Sequence, residues 1–160
     1  MTMHPPISCP DCGGLMYLTD KPSTWDGGSR VIYLCENRPN GCRGLMSAHP
    51  DGRPCGTPAD AETRRARRIV HDQAFDRLWQ NAPAMYSEGD SGRPSDAALR
   101  RIAKVRAYKW LSEKAGIPFE KCHMSMMDIE QLRLVWRTIR DHNPTPESIR
   151  AWARERKQKK

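Results

Sequence analysis

The sequence predicts an α+β protein: a small N-terminal module built on a β-hairpin and four cysteines, followed by a three- or four-helix cluster. Three observations carry this expectation. Five of the six cysteines lie before residue 58. Two short apolar runs, Leu15-Met16-Tyr17-Leu18 and Val31-Ile32-Tyr33-Leu34, have strand length and flank a Gly-rich loop. Beyond Thr57, apolar residues recur at helical spacing.

At 160 residues the chain has room for one domain or two small ones. Lys and Arg number 27 against 19 Asp and Glu, a net charge of +8. Residues 1–57 carry five basic and five acidic side chains, so the whole excess falls on residues 58–160. Cysteine, Gly/Pro and charge all shift near Thr57. The expected organisation is therefore a module over 1–57, a helical domain over 58–142 with a mobile loop at 81–95, and a basic C-terminal helix or tail over 143–160. Neither a long apolar run nor a secretory leader is present, and unpaired cysteines suit a reducing compartment, so a cytoplasmic protein without membrane partners is expected.

Cys9-Pro10-Asp11-Cys12 is a tight thiol pair, and Cys35 and Cys42 close the second strand across a six-residue spacer. A hairpin brings the two pairs together, and zinc takes four thiolates in a tetrahedron. A segment this short and poor in large apolar groups gains from one structural Zn2+ what its small core lacks. The long spacer leaves a variant open in which His49 or Cys55 stands in for Cys42.

Cys9-Pro-x-Cys-Gly, then a tyrosine strand into Cys35-x-Asn-x-Pro-x-x-Cys42, resembles the four-cysteine zinc ribbons at the C-terminal end of bacterial type I topoisomerases, modules that bind single-stranded DNA. Over a longer stretch the chain resembles a zinc-finger-containing family of unknown function met mostly in phage and prophage proteins. The matching pieces are the two cysteine pairs, His49-Pro50-Asp51-Gly52, His71 with Phe75-Asp76-x-x-Trp79, Arg106-x-Tyr108-x-Trp110-Leu111 with Gly116-Ile117, and Cys122-His123-Met124. One extra residue before Cys42 and an insertion at 81–95 depart from the pattern. The resemblance implies zinc, DNA and a phage or prophage origin, and no reaction.

The helices follow in order. Thr57-Pro58 opens a first helix that should run to about Trp79, basic early (Arg64, Arg65, Arg67, Arg68) and apolar late. Ser95 caps a second helix ending at Gly116, with Leu99, Ile102, Ala103, Val105 and Trp110 on one arc and Arg100, Arg101, Lys104 and Tyr108 on another. Ser125 with Asp128 begins a third, whose stripe is Ile129, Leu132, Val135, Trp136 and Ile139. Asn143-Pro144 breaks it, and Thr145-Pro146-Glu147 opens a fourth. Trp79, Trp110 and Trp136 are expected in the core.

Clustered Lys and Arg point to a phosphate backbone. The candidate contacts are Trp25, Arg30, Tyr33 and Arg38 in the hairpin module, with Tyr17 as a further stacking ring, and Arg64, Arg65, Arg67, Arg68, Arg101 and Lys104 in the helices. DNA is favoured, RNA is an alternative, and no small-molecule substrate or catalytic residue is expected, because four thiolates leave a metal no open position. The competing expectation is an interaction protein that docks on a host polymerase, nuclease or defence complex. A second metal from Cys55, His71, Cys122 and His123 has suitable ligand types but no motif spacing.

Overall fold

The computed structural model describes residues 4–22, 29–86 and 91–159, with side chains at 20–22, 29 and 30 left aside. The chain divides into two compact units, Met1–Arg65 and Ala66–Lys160. The division falls inside the first helix, later than the composition shift at Thr57.

The first unit is a four-stranded antiparallel sheet in the order β1-β2-β3-β4: β1 Ile7–Ser8, β2 Leu15–Pro22, β3 Ser29–Cys35 and β4 Leu45–Ser47. The expected hairpin is its centre, with Met16 opposite Cys35 and Leu18 opposite Tyr33. Alternation sends Met16, Tyr33, Cys35 and Met46 into a small core with Cys9. Leu15, Tyr17 and Leu45 stay exposed on the other face. The core is too small to hold the sheet by apolar burial alone, which places weight on the cysteines.

The first helix starts later than expected. α1 spans Ala61–Val70, and Asp60 rather than Thr57 caps it, its Oδ1 accepting from Thr63 N–H at 2.8 Å. α1 also stops sooner. His71–Phe75 form a π-type turn in which Asp76 N–H donates to the His71 carbonyl, and a 3-10 turn follows over Asp76–Leu78. A five-residue step sets His71 beside Asp76, Nδ1 to Oδ1 at 3.1 Å, a pairing that regular α-helical spacing would splay apart.

α2 covers Asp96–Ala115, with the Ser95 hydroxyl accepting from Ala98 N–H. α3 covers Ile129–His142, opened by a capping box from Asp128 and Gln131, and α4 covers Pro146–Gln158 with Thr145 at its cap. Phe75, Leu78, Ala107, Leu111, Met127, Leu132 and Val135 lie at the centre of the second core.

Several placements differ from the sequence expectation. Tyr108 leaves the predicted outer arc and is buried between Phe75, ring centroids 4.3 Å apart, and His123 at 4.5 Å. Ile102 and Val105 leave the predicted core arc and stand 41% and 43% exposed. Trp110 is buried and Trp79 half-buried, but Trp136 is exposed on α3. Residues Ala82–Met85 of the expected mobile loop form a 3-10 turn with Ala82 and Pro83 buried, while 87–90 lie outside the described residues.

Candidate metal centre

The sheet brings two turns to one point. Cys9 and Cys12 lie on the turn between β1 and β2; Cys35 ends β3, and Cys42 closes the next turn. Each turn is tied in the same way. Cys9 N–H donates to the Gly14 carbonyl at 2.7 Å, and Cys35 N–H donates to the Gly44 carbonyl at 3.1 Å. The Gly14 N–H donates to Cys12 Sγ, and the Gly44 N–H to Cys42 Sγ at 3.4 Å. Each pair is thus a cysteine followed, two residues after its second thiol, by a glycine that clasps the first cysteine's backbone and the second cysteine's sulfur.

Close approach explains the glycines. A Cβ on Gly44 would collide with Cys9 Sγ and sit 3.2 Å from Cys35 Cβ; one on Gly14 would meet the Asn37 carboxamide at 2.6 Å. Neither has a left-handed φ, so space and not backbone freedom selects glycine here. The signal that could have found these glycines is a repeated Cys-x-Gly after each pair, Cys12-Gly13-Gly14 and Cys42-Arg43-Gly44.

The sulfurs converge. Cys9 and Cys42 Sγ lie 3.8 Å apart, Cys12 and Cys35 Sγ 3.4 Å, and all four lie within 4.8 Å of one another. A zinc–sulfur tetrahedron with bonds of about 2.3 Å has edges of about 3.8 Å, so the set fits one structural zinc ion. The six-residue spacer is accommodated by a 3-10 turn, Arg38–Asn40, with Cys42 N–H returning to the Asn37 carbonyl at 3.1 Å. Cys42 therefore takes the fourth position; His49 and Cys55 are outside the cluster.

The four thiols are electrostatically unequal. Cys12 is exposed, and its pKa falls to about 6, first because the Asn37 carboxamide donates to its sulfur at 3.4 Å and next through Gly14 N–H. Burial pushes Cys35 up to about 12, against the opposing donation of Asn37 N–H at 3.3 Å. Cys42 is raised, although Gly44 N–H, its strongest single influence, pulls the other way. Two divalent-cation charges offset the cost of holding such thiolates together, and donors from Asn37, Gly14 and Gly44 orient the lone pairs.

The remaining candidate residues are distributed as follows. Trp25 lies outside the described residues, as does the Arg30 side chain. Tyr33 is 1% exposed with its hydroxyl donating to the Gly52 carbonyl at 3.0 Å, so its ring is a packing element and presents no stacking surface. Tyr17 is exposed, as is Arg38. Arg64 is drawn to Asp11 at 2.9 Å, Arg67 Nε donates to the Met127 carbonyl, and Arg65, Arg68 and Arg101 are exposed. Lys104 Nζ lies 4.8 Å over the Trp79 ring.

No second four-ligand set forms in the helical unit among the described residues. His71 groups with Asp72 and Asp76, not with Cys122 or His123. Asp76 is already occupied by the Trp79 indole N–H at 3.1 Å and the Gln80 amide at 2.9 Å. Cys122 is buried, its thiol pushed up to about 11 by that burial, and Cys55 is raised chiefly by burial and then by Asp51.

An antiparallel sheet that delivers two clasped cysteine pairs to a single point defines a zinc-binding module. Residues 5–91 and 98–142 match the zinc-finger-containing domain family DUF3268, and the chain belongs to that family. Neither a curated protein nor a solved structure matches it. Among the described residues, no helix is long and apolar enough to cross a membrane.

Proposed function

We propose a non-enzymatic zinc protein that binds nucleic acid, DNA in preference to RNA and unpaired regions in preference to a defined duplex sequence. It acts in the bacterial cytoplasm as a phage or prophage product, in keeping with the family resemblance. One observation carries the reading. α2 and α4 pack against each other and together hold ten Lys or Arg against four Asp or Glu. Such a concentration releases counterions when it meets phosphates. The metal centre supports a scaffolding role: four sulfurs saturate the ion and leave it no position for substrate or water.

Fluorescence anisotropy with matched single- and double-stranded DNA and RNA tests the proposal across a salt series. Binding should weaken steeply between 50 and 200 mM salt. Affinity that stays flat over that range removes the electrostatic basis of the reading. A protein partner captured from lysate and retained after nuclease digestion would favour docking on an acidic host complex instead.

A further inference from the structure

The ten cations of α2 and α4 are not evenly spread. A groove of about 890 Å³ runs between the two helices. Arg101, Arg106 and Lys109 line it from α2; Arg156 and Lys157 from α4, with Lys159 just beyond. Its apolar surface comes from Ile102 and Val105, the two large apolar side chains that α2 leaves exposed, and from Trp152. A single carboxylate, Glu113, reaches the groove, and it is held by Arg156, by Lys114 at 3.8 Å and by the Trp152 indole N–H at 3.3 Å. Among the described residues, no carboxylate lies in ion-pair range of the other five lining cations. The Arg156 guanidinium lies 5.0 Å over the Trp152 ring, a flat cation on an aromatic surface.

Exposed aliphatic side chains set beside unneutralised cations call for a ligand that carries apolar faces next to a chain of anions. A duplex hides its base faces in its own stack and would leave Ile102 and Val105 wet. An unpaired strand offers base faces and a phosphate chain together. An acidic amphipathic helix shares this polarity, but the flat stack of Arg156 on Trp152 suits the face of a base better than the side chains of a helix.

We propose that the α2–α4 groove is the binding site for single-stranded nucleic acid, with phosphates along its cationic walls and bases against Ile102, Val105 and Trp152. This rests on the nucleic-acid reading above and adds a location that the sequence candidates, Arg101 apart, did not include. The site is short, suited to a few nucleotides, and its contacts are sequence-tolerant.

The test uses the full zinc-loaded chain, labelled oligothymidylates of 4 to 12 nucleotides, and a matched duplex. Five unpaired cations on a single strand give a log–log salt slope of about −3.5, each contact being worth about 0.7. Arg101→Gln with Lys109→Gln should bring the slope to about −2.1 and weaken binding about 25-fold at 0.1 M salt. Arg133→Gln with Arg140→Gln, an equal charge loss on α3, should change affinity less than twofold. Ile102→Ala with Val105→Ala should weaken the single strand and spare any duplex binding. Zinc content and melting temperature confirm that each variant is folded. Wild-type protein that fails to bind any oligonucleotide overturns the functional reading and this inference with it. Wild-type binding that both charge pairs reduce equally, or that the groove pair leaves intact, overturns the groove alone. A polyglutamate peptide that competes as well as the oligonucleotide, charge for charge, also overturns it and assigns the groove to an acidic protein.

Discussion

Gly44→Ala probes the metal centre with one added carbon. The residue has an ordinary φ, so alanine meets no backbone penalty there. Its Cβ would instead collide with Cys9 Sγ, with Cys35 Cβ at 3.2 Å and Cys42 Sγ at 3.5 Å beyond it. All three neighbours belong to the cluster, and a bound ion fixes their sulfurs, so none can yield without distorting the tetrahedron. Overpacking of this kind costs about 1–3 kcal/mol. If the distortion falls on the zinc-bound state, affinity drops about 5- to 150-fold. Gly14→Ala is the matched comparison. Its Cβ meets the Asn37 carboxamide at 2.6 Å, a side chain free to rotate away at the expense of one donor to Cys12. Its effect should be the smaller of the two. Competition against a chromophoric chelator under reducing conditions at neutral pH measures both. Gly44→Ala holding zinc as tightly as wild type, or Gly14→Ala losing more than Gly44→Ala, would refute the close-packing explanation of these glycines.

Other outcomes follow from single residues. Tyr33→Phe removes a buried hydroxyl and leaves the Gly52 carbonyl without that donor, so the sheet unit should lose about 1–2 kcal/mol by thermal unfolding while still binding one zinc. Burial raises the Tyr108 phenol to about 12 from an ordinary 10.0. The unfolded chain therefore releases that proton first, and stability should be intact below pH 10 and fall by on the order of 2–3 kcal/mol as pH rises toward 12. Urea titration at several alkaline pH values, with Tyr108→Phe abolishing this component, checks the sign.

Much of the zinc module was legible because its chemistry is local. Two cysteine pairs at the ends of strand-like runs permit few arrangements, and Tyr33 pairing with Leu18 follows from register. β4 was not legible: Leu45–Ser47 has three residues, and only its pairing with β3, Tyr33 opposite Met46, marks it as a strand. In the helical unit, boundaries set by caps were read to within a few residues: of Ser125 and Asp128 it is Asp128 that caps α3, and Asp60 stands in place of Thr57. The π-type turn at His71 was not, since no glycine, proline or capping side chain marks where the longer step falls. Periodicity also misassigned faces on α2. Its apolar residues surround the helix, so pattern alone could not say that Tyr108 faces inward and that Ile102 and Val105 face the groove. The groove itself is a meeting of two elements far apart in the chain, which no local pattern encodes.

The sulfur cluster has one wet corner. Cys9 and Cys35 are enclosed and Cys42 is half-sheltered, whereas Cys12 stands at the surface under the Asn37 amide and the Gly14 N–H. An incoming chelator or oxidant should therefore meet Cys12 first, with Cys42 beside it on the same open face, and metal release should begin at that edge. The speed of exchange would then be set at this doorway, and the two enclosed sulfurs of Cys9 and Cys35 would hold the ion longest.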